Sequence, residues 1–467
     1  MPRPRQVQPN ELALRLQAFG PQTAQALASG LRVDRSNISR AFALPGLARR
    51  VIRLGTTRGT SYALRRPVRG LGDTFPIRRI DAEGRARDWA ELTALHGGWR
   101  VVWAEPSRAP VWADRVLALG GFDEGFPFYL GELRPQGYLG RAVGRALPAG
   151  LGLPRDPRDW SDDDTLVYLF SEGDEPPGDL VVGDGPLVRY QQGRLAPPAW
   201  MIAEADRSER YPALAAAVAL PGGGASSVEG EQPKFLATLA AAEGGGPTRV
   251  MVKFTDQLAT STGRRWADLL AAEALALALL QARGEAHAAP RLLDAGGRRF
   301  LETPRYDRVG AHGRRGVISL RALHDSFPGP STHDWAVAAV ALAADGLIDA
   351  ATLRSIRLRH AFGRLIGNTD MHFGNLAFWF DDALPFRLAP AYDMLPMLWA
   401  PVAGEATPAP EFAPALPLPA DREVWHEAAA LVDEFWQRVA ADPRVSPPFS
   451  AIATTALATV RRLRGVA

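Results

Sequence analysis

The polar octapeptide Asn368-Thr369-Asp370-Met371-His372-Phe373-Gly374-Asn375 is the most informative part of this sequence. Within it, Asp370 is followed after four intervening residues by Asn375, and a second aspartate, Asp393, comes 18 residues after Asn375. Two carboxylates and an amide offer the oxygen ligands that magnesium prefers. Asp and Asn are also frequent in turns, so an ordinary turn is the alternative interpretation.

The spacing D-x-x-x-x-N followed by a further Asp is typical of a protein-kinase catalytic loop. In that chemistry the first Asp accepts the hydroxyl proton of the substrate, and the Asn and the second Asp hold magnesium against the ATP phosphates. Residues 376–380 are apolar and 386–389 are apolar except for Arg387, and the two runs flank an Asp-Asp turn, which predicts a hairpin that brings Asp393 back toward Asn375.

The composition predicts a soluble globular protein of two to four domains, with 467 residues of which 46% are hydrophobic and 22% charged. The chain has no cysteine, which excludes disulfides, cysteine nucleophiles and Cys-ligated zinc. Its first residues lack the apolar core of a signal peptide, and no run of 18 apolar residues follows. We therefore expect a cytoplasmic protein without a membrane segment.

Lysine is rare in this chain, because only Lys234 and Lys253 among 54 basic residues are lysine. Lysine is a compact point charge, so we interpret both positions as part of an ATP phosphate clamp, with survival by chance as the alternative. A glycine-bearing loop over 222–234 precedes two predicted strands, Phe235–Leu239 and Val250–Phe254. This order predicts the ATP-holding half of a kinase-like fold, and a surface linker with a hairpin is the alternative.

The residues after these strands predict the rest of a two-lobed protein. A helix over Trp266–Gln281 carries Glu273, which either pairs with Lys253 or lies on the surface. The strand that begins at Phe300 ends at Pro304, where a kinase hinge would contact adenine. Apolar periodicity predicts later helices over 335–344, 350–366, 423–440 and 451–463.

The N-terminal segment is basic, with 13 arginines but only two acids in residues 1–70. Residues 9–66 predict three helices and a β-hairpin, which is the pattern of a winged helix-turn-helix. We expect the third helix, the wing and the flanking arginines to contact DNA bases and phosphates through Arg35, Ser36, Asn37, Arg40, Arg53, Arg58, Arg65 and Arg66. A helical protein-docking module and a solvated basic face are the alternatives.

Residues 67–200 are mixed in character. Arg100–Trp103 and Leu166–Phe170 are predicted to be strands, and Asp162–Asp164 are predicted to cap a helix rather than bind a metal. The predicted domains are 1–70 for the winged helix-turn-helix, 71–305 for the N-terminal lobe of a kinase, and 306–467 for a helical C-terminal lobe. The predicted fold class is α+β.

Five segments together resemble the HipA-like serine/threonine kinases, the toxins of bacterial toxin–antitoxin modules. The segments are Ser227–Lys234, the strand of Lys253, Glu302–Arg308, Gly367–Asn375 and Ala391–Met394. The resemblance extends over roughly residues 75–460 in one consistent order. The additional N-terminal helix-turn-helix is similar to that of the YjjJ-type branch.

The resemblance implies a protein kinase that depends on ATP and Mg²⁺. By position, Asp370 matches the catalytic base and Asn375 and Asp393 match the metal ligands. The other nucleotide-binding positions it implies are Glu229, Gly230, Glu231, Gln232, Pro233, Lys234, Lys253, Pro304, Arg305, Tyr306, His372 and Tyr392. His372 is equally compatible with a hydrogen-bonded loop histidine. Ser227 matches a serine that family members autophosphorylate, and Ser226 is an alternative acceptor.

The resemblance also leaves several points open. Gly374 stands where some members have a basic residue. The fused N-terminal domain leaves open whether a separate antitoxin exists, and the protein substrate, an aminoacyl-tRNA synthetase in some members, is not identified by this sequence. Two alternatives to a protein kinase remain: a DNA-binding regulator whose kinase body only senses nucleotide, and a kinase that acts on a small molecule.

Overall fold

A computed structural model describes residues 7–56, 59–118, 120–147, 149–195, 201–218, 232–241, 246–401 and 410–467. Its first part contains short helices and a three-stranded antiparallel sheet of order β1-β3-β2. The elements are α1 (Pro9–Phe19), β1 (Gln22–Thr23), α2 (Ala24–Leu31), α3 (Arg35–Phe42), α4 (Pro45–Ala48), β2 (Val51–Leu54) and β3 (Ser61–Leu64).

The boundaries of these helices follow from their terminal residues. Pro9 opens α1 at a position where no intrahelical N–H is needed, and the Gln8 N–H donates to Glu11 Oε2 at 3.0 Å. Thr23 caps α2, because its Oγ1 accepts from the Ala26 N–H at 3.1 Å. The helices enclose a small core that includes Leu12, Leu16, Leu27, Ile38 and Leu47, all fully or almost fully buried.

A middle region follows, in which five antiparallel strands form a sheet of order β7-β6-β5-β4-β8. Its strands are β4 (Thr74–Ile80), β5 (Ala86–Leu95), β6 (Gly98–Trp103), β7 (Phe122–Asp123) and β8 (Leu180–Val182). Its helices are α5 (Ala113–Val116), α6 (Phe128–Gly131), α7 (Gly137–Ala146), α8 (Asp162–Glu172), α9 (Asp184–Leu195) and α10 (Arg207–Val218).

The strand predicted over Leu166–Phe170 is wrong, because these residues lie inside α8. A run of five apolar residues has no period that separates a strand from a buried helix. The helix is fixed at its start by a reciprocal cap, in which the Asp164 N–H donates to Ser161 Oγ and the Ser161 N–H donates to Asp164 Oδ2. The three aspartates therefore occupy the first turn of a helix, as the sequence predicted.

A second antiparallel sheet has the order β11-β12-β10-β9 and packs against one long helix. The elements are β9 (Lys234–Leu239), β10 (Thr248–Phe254), α11 (Ser261–Ala282), β11 (Arg291–Ala295) and β12 (Arg298–Pro304). Helix α11 is connected to the C-terminal helices through Asp268, whose carboxylate accepts from the backbone N–H and the hydroxyl of Ser446 at 2.7 Å each.

The C-terminal part is mainly helical. Its elements are β13 (Arg308–Val309), β14 (Gly313–Arg314), β15 (Val317–Ser319), α12 (Leu320–Ser326), α13 (Trp335–Ala344), α14 (Ala350–Leu365), β16 (Ala377–Trp379), α15 (Arg422–Ala441) and α16 (Pro447–Arg464). The predicted α+β class is confirmed. None of the helices in the described ranges has the length and apolar character needed to cross a bilayer.

The hairpin predicted after Asn375 forms only in part. Strand β16 pairs with β15, which lies about 60 residues earlier, and the returning segment adds an isolated bridge between Phe378 and Leu388. Pro385 has no N–H, and the Phe386 N–H donates instead to Leu347 O at 2.8 Å. The ladder between the two predicted arms therefore cannot extend, and the distant strand β15 completes the pairing.

The N-terminal part is joined to the middle region by a packed interface. The His96 N–H donates to Leu64 O and the Arg66 N–H donates to Ala94 O, each at 2.9 Å. Buried Leu95 lies in one apolar cluster with Ile52, Leu54 and Ala63. The described part of the N-terminal segment, residues 7–56 and 59–64, is therefore joined to the middle region by shared apolar packing and by backbone hydrogen bonds.

Candidate active site

The two lysines of the chain face each other on neighbouring strands. Lys234 on β9 and Lys253 on β10 are direct partners in the antiparallel register, so their side chains project from the same face of the sheet. The two lysines of the sequence therefore lie at the same place in the structure. Lys253 is buried and Lys234 is half-buried.

Lys253 forms ion pairs with two carboxylates from different parts of the chain. Its Nζ lies 2.6 and 2.8 Å from the two oxygens of Glu273 on α11, and 2.6 Å from Asp393 Oδ1. Glu273 is 2% exposed, so its placement on the surface, the alternative considered from the sequence, is excluded. The pairing expected between Lys253 and Glu273 is therefore confirmed.

The charged groups of this cluster shift one another's pKa values. Burial alone would lower the pKa of Lys253, but Asp393 and Glu273 raise it above its usual value. Burial would raise the pKa of Asp393, but Lys253 and then Lys234 hold it well below the usual range. Burial raises the pKa of Glu273, although Lys253 opposes that shift. Lys253 and Asp393 are therefore charged at neutral pH.

The loop that carries Asp370 begins where α14 ends. Gly367 adopts a φ of 76°, a conformation that glycine tolerates, and turns the chain out of the helix. The Asp370 N–H donates to Asn368 Oδ1 at 3.0 Å, and Asn375 Nδ2 donates to Asp370 O at 2.7 Å. These bonds leave the Asp370 carboxylate exposed to solvent while its backbone is held from both sides.

Asp393 is held beside this loop by two further contacts. Asn368 Nδ2 donates to Asp393 O at 3.1 Å, and the neighbouring Tyr392 hydroxyl donates to Gly374 O at 2.6 Å. Asp393 has a φ of 52°, a left-handed conformation that few residues other than glycine adopt without cost. Asn368 therefore connects Asp370 and Asp393, a role that the sequence interpretation did not assign to it although it lies within the octapeptide.

His372 lies at the entrance of the loop, with its Nε2 4.0 Å from Asp370 Oδ1. Its Nδ1 accepts from the Gly374 N–H at 3.0 Å, and its carbonyl oxygen accepts from Trp335 Nε1 at 3.1 Å. The bonds expected of a hydrogen-bonded loop histidine are therefore present. The Asp370 carboxylate is 55% exposed, yet its partial desolvation raises its pKa, and the neighbouring His372 opposes that shift.

Gly374 has a structural reason to lack a side chain. A Cβ atom there would lie 2.9 Å from His372 Cε1, which is closer than a real contact allows. The same position is 3.9 Å from Arg321 Nη2. The guanidinium of Arg321 therefore lies next to this loop, a neighbour that the sequence interpretation did not name.

The predicted hinge follows β12. Arg305 N–H donates to Arg249 O at 2.9 Å, and the Arg305 guanidinium is held by Asp307 at 2.8 and 3.0 Å. The ring of Tyr306 stacks on Tyr392, with the centroids 6.0 Å apart. Tyr306 thus lies against Tyr392, the residue before Asp393, and Pro304 is two residues earlier in the chain. The side chain of Arg305, in contrast, is already bonded to Asp307.

The predicted phosphate loop is described only at its end. Gln232 is buried and its Nε2 donates to Phe254 O, while the Phe254 N–H donates to Pro233 O at 3.0 Å. These bonds attach residues 232–233 to β10 beside Lys253. The remaining predicted positions of this loop lie outside the described residues: Ser226, Ser227, Glu229, Gly230 and Glu231.

The predicted DNA-contacting residues divide into three groups. Arg35, Ser36, Arg40 and Arg53 are exposed, and Arg58 lies outside the described residues. Asn37 is only 9% exposed, so it does not project into solvent as expected, because its position on α3 turns it toward the core side with Ile38.

The two arginines that follow the hairpin, Arg65 and Arg66, form ion pairs within the protein. Arg65 pairs with Asp73 at 2.8 Å, and Arg66 makes a bidentate pair with Asp163 at 2.5 and 2.9 Å. These carboxylates belong to the middle region, so both arginines contribute to the interface between the two parts. Their contact with DNA phosphates stays a prediction that this structure does not test.

The donor set of the site fits a magnesium ion in its chemistry. Asn375 contributes an amide oxygen and Asp393 a carboxylate, both hard oxygen ligands. Three or more His, Cys, Asp or Glu side chains are nowhere grouped as a metal site in the part of the chain that the structure describes. A transition-metal centre built from such groups is therefore not found there.

Comparisons with known proteins agree with this arrangement. Residues 71–191 match the family model of the YjjJ-like toxin, middle domain, and residues 226–456 match that of the HipA-like C-terminal domain. The chain is 36% identical over 445 residues to Toxin YjjJ of Escherichia coli (strain K12), which covers 95% of this chain and 96% of that protein.

Two solved structures are also similar. HipA in a complex of the Shewanella oneidensis MR-1 toxin–antitoxin system with HipB and operator DNA matches with a TM-score of 0.55 at 15% identity, over 84% of this chain and 100% of that one. This likeness shows a shared fold. The Helicobacter pylori proinflammatory kinase CtkA matches 50% of this chain and 92% of its own with a TM-score of 0.33 at 12% identity, which is too weak to support an inference.

Proposed function

The chain belongs to the HipA-like toxin family, among the YjjJ-like toxins, and from that membership we propose that it is an ATP- and Mg²⁺-dependent serine/threonine protein kinase. The reaction is transfer of the γ-phosphoryl group of ATP to a hydroxyl group of a protein substrate. Catalysis of this reaction depends mainly on positioned charges.

The observation that carries the proposal is the set of bonds around Lys253. One lysine is held by a helix glutamate, Glu273, and by the aspartate of the 391–394 segment, Asp393, at distances of 2.6–2.8 Å. Asn368 then connects Asp393 to the loop of Asp370 and Asn375. A structural ion pair would not require these six residues, from four separated segments, to meet at one place.

Each residue has a role that its chemistry supports. Asp370 accepts the proton of the substrate hydroxyl, and its raised pKa makes it a better proton acceptor than an ordinary aspartate. Lys253 and Lys234 neutralise phosphate charge, and Pro304–Tyr306 provide the backbone next to the adenine ring. Asn375 and Asp393 would hold Mg²⁺, which when bound supplies positive charge against the transferred phosphoryl group.

Transfer of labelled phosphate from ATP tests the proposal. Asp370→Asn is expected to lower the transfer rate by at least about 100-fold, because the general base is lost. Asp381→Asn is the matched control, since Asp381 is a similarly exposed aspartate paired with Arg387. Transfer that is unchanged by Asp370→Asn would remove the assignment of the base.

The same experiment distinguishes the two alternatives. A regulator that only senses nucleotide would bind labelled ATP and release it without transfer. A small-molecule kinase would consume ATP and label a soluble acceptor but no protein band. A labelled protein band that disappears in Asp370→Asn supports the protein kinase.

We also propose that residues 7–64 form a winged helix-turn-helix that binds DNA. Arg35, Ser36 and Arg40 are exposed together on α3, and the solved HipA relative is described as a complex with HipB and operator DNA. In a gel shift on the protein's own promoter, Arg35→Gln should lower the affinity for DNA. It should also make that affinity depend less steeply on salt concentration, because one positive charge is lost. Asn37→Ala should lower stability instead, since Asn37 is buried. Equal DNA binding by the protein and by Arg35→Gln would remove this part of the proposal.

Autophosphorylation of Ser227 is the regulatory part of the proposal. A phosphoserine beside Glu229 and Glu231 would be repelled by their charges, which would displace the phosphate loop. Mass spectrometry of protein incubated with ATP should find the phosphate on Ser227, and Ser227→Ala should keep transfer active for longer. Modification at Ser226 alone would contradict the assignment.

A further inference from the structure

A second polar site lies between the middle region and the ribbon that follows the hinge. It is a cavity of about 190 Å³. Its wall consists of residues from α9, from the loop before β8, from β10 and from the β13–β14 ribbon: Asp174, Glu175, Arg189, Tyr190, Gly193, Arg249, Arg308, Gly310, Ala311, His312, Gly313 and Arg314. None of these residues belongs to the proposed catalytic set.

The lining of this cavity carries an excess of positive charge. Four arginines face two carboxylates, those of Asp174 and Glu175. Burial would raise the pKa of Glu175, but Arg308, Arg314 and Arg249 lower it, so Glu175 is ionised at neutral pH. The lining residues therefore carry more positive than negative charge, and the neighbouring Asp307 offsets part of the excess through its pair with Arg308.

Two of the arginines are buried deeply and share a small number of carboxylates: Arg308 Nη1 lies 2.7 Å from Asp307 Oδ2, and Arg314 Nη2 lies 3.7 Å from Glu175 Oε1. The side chains of Arg308 and Arg314 are 6% and 1% exposed. Burial, and then the neighbouring charge of Arg305, lowers the pKa of Arg308 to about 9. A buried guanidinium is stable when its N–H groups and its charge are both satisfied.

The hydrogen bonds of these arginines are incomplete. Arg308 donates through Nη1 to Gly178 O at 3.0 Å and through Nη2 to Pro176 O at 2.7 Å, and Arg314 Nη2 donates to Asp174 O at 2.6 Å. Within the described ranges, however, Arg308 Nε and Arg314 Nη1 are buried and have no acceptor. Native proteins rarely leave such donors unpaired without a ligand or water at the site.

We propose that this cavity binds a small oxyanion, namely inorganic phosphate or the phosphate group of a small ester. Arginine provides the planar donors that phosphate oxygens prefer. The volume corresponds to about six water molecules, which is below the range of typical ligand pockets and too small for a nucleotide. The site is therefore distinct in both place and ligand from the proposed ATP site.

The position of the cavity connects the anion to the hinge. Arg308 follows the hinge residues Pro304–Tyr306 and shares Asp307 with Arg305, with Arg308 Nη1 2.7 Å and Arg305 Nη2 2.8 Å from the same oxygen. An anion in the cavity would compete with Glu175 for Arg308, whose Nη2 lies 3.2 Å from Glu175 Oε2. When the anion binds, Arg308 would thus exchange its contact with Glu175 of the middle region for a contact with the anion.

Titration calorimetry of the full chain with inorganic phosphate, at constant ionic strength against chloride, tests the proposal. We expect saturable binding that Arg249→Gln weakens by at least about tenfold, because one charge-assisted bond is lost. Because Arg249 is only half-buried, its substitution should disturb the fold less than substitution of Arg308 or Arg314. Arg438→Gln, which breaks an exposed ion pair on α15, is the matched control and should leave binding unchanged.

Two further variants test the role of the competing carboxylate and the location of the site. Glu175→Gln removes the competing carboxylate and should tighten phosphate binding several-fold, roughly the reverse of one lost charge contact. Lys234→Met should leave it unchanged, since Lys234 lies in the other site. Absence of saturable binding, or binding lost in Lys234→Met but kept in Arg249→Gln, would overturn the proposal. A parallel titration with glycerol phosphate distinguishes the sources: equal binding indicates an ester ligand, and binding of inorganic phosphate alone indicates the free ion.

Discussion

Lys253 is a residue whose removal would leave charges without a counter-ion. Its ammonium group is buried between Glu273 and Asp393, both of which it contacts at less than 3 Å. The net value of a buried ion pair is small, because desolvation offsets the attraction, but the loss of one partner is costly. The stability of this region therefore depends on keeping all three groups together.

Lys253→Met should destabilise the protein by about 3–5 kcal/mol, because the buried carboxylate of Glu273 would then face the partly exposed carboxylate of Asp393 without a counter-ion. The free energy of unfolding from urea titration measures this loss. The double variant Lys253→Met/Glu273→Gln should recover part of it, since one uncompensated charge is removed. Lys234→Met is the matched control and should lose less, because Lys234 is only half-buried. A larger loss in the double variant than in Lys253→Met would contradict this account.

The pH dependence of phosphate transfer follows from Asp370. A base must be deprotonated, so the rate falls as pH falls through the pKa of Asp370, which burial raises above its usual value. His372 opposes that shift, with Nε2 4.0 Å from Asp370 Oδ1. His372→Gln should therefore move the acidic limb of the kcat/KM profile to higher pH. His287→Gln, at an exposed histidine, should leave the limb in place, and a shift to lower pH in His372→Gln would contradict the assignment.

At the scale of elements, the loop after α14 is held by buried side chains that include Asn368 and Asn375. Asn368 is the one of these two that also reaches Asp393. It accepts from the Asp370 N–H and donates to Asp393 O, so it fixes the distance between the proposed base and a proposed metal ligand. A displacement of about 1 Å in such a site can lower a rate by about 100-fold.

Asn368→Ala should lower kcat by about 10- to 100-fold while the KM for ATP changes much less, because the base is misplaced and the phosphate-binding lysines are not. Steady-state kinetics separates the two constants. Asn10→Ala, at an exposed asparagine, is the control. A variant in which only KM rises would show that Asn368 supports nucleotide binding instead of the position of Asp370.

The elements themselves were largely predictable from the sequence, because periodic apolar faces and caps are local signals. The helix predicted over Trp335–Ala344 has the same bounds in the structure, and β10 extends the predicted strand of Lys253 by two residues. The pairing of β16 with β15 was not predictable, because the two strands are far apart in the sequence. The burial of Asn37 and the bonds of Arg65 and Arg66 depend likewise on tertiary packing.

The candidate site was predictable to a different degree. The motif spacing predicted Asp370, Asn375 and Asp393, and the rarity of lysine predicted Lys253. The structure brings Lys253 and Asp393 into contact. Sequence could not rank Asn368 or Arg321, since an asparagine in a turn and one arginine among many give no distinct signal. The contribution of Glu273 depended on which face of α11 is buried, which only packing determines.

At the scale of the whole molecule, the N-terminal part is coupled to the body through an apolar contact and ion pairs. Leu95 is 1% exposed among Ile52, Leu54 and Ala63, and Arg66 pairs with Asp163 while its guanidinium also lies 5.2 Å from the Trp99 ring. The proposed DNA-binding part is therefore held against the proposed kinase by a continuous interface.

Leu95→Ala should cost about 2–5 kcal/mol, because it opens a cavity at this interface. Denaturant unfolding measures the loss, and limited proteolysis should cleave faster between residues 65 and 73. Leu14→Ala, at a leucine that is 65% exposed, should change stability by less than about 0.5 kcal/mol. Unchanged proteolysis in Leu95→Ala would show that the two parts are held together elsewhere.

The pairing of Lys234 with Lys253 across two strands has a practical consequence. Apart from the histidines, every other basic side chain is arginine, so an acylating reagent finds side-chain amines only at this pair of strands. Mass spectrometry of the acylated protein, with and without added nucleotide, should show modification of Lys234 suppressed when the cleft is filled. The protein thereby carries its own chemical reporter of occupancy, without any engineered label.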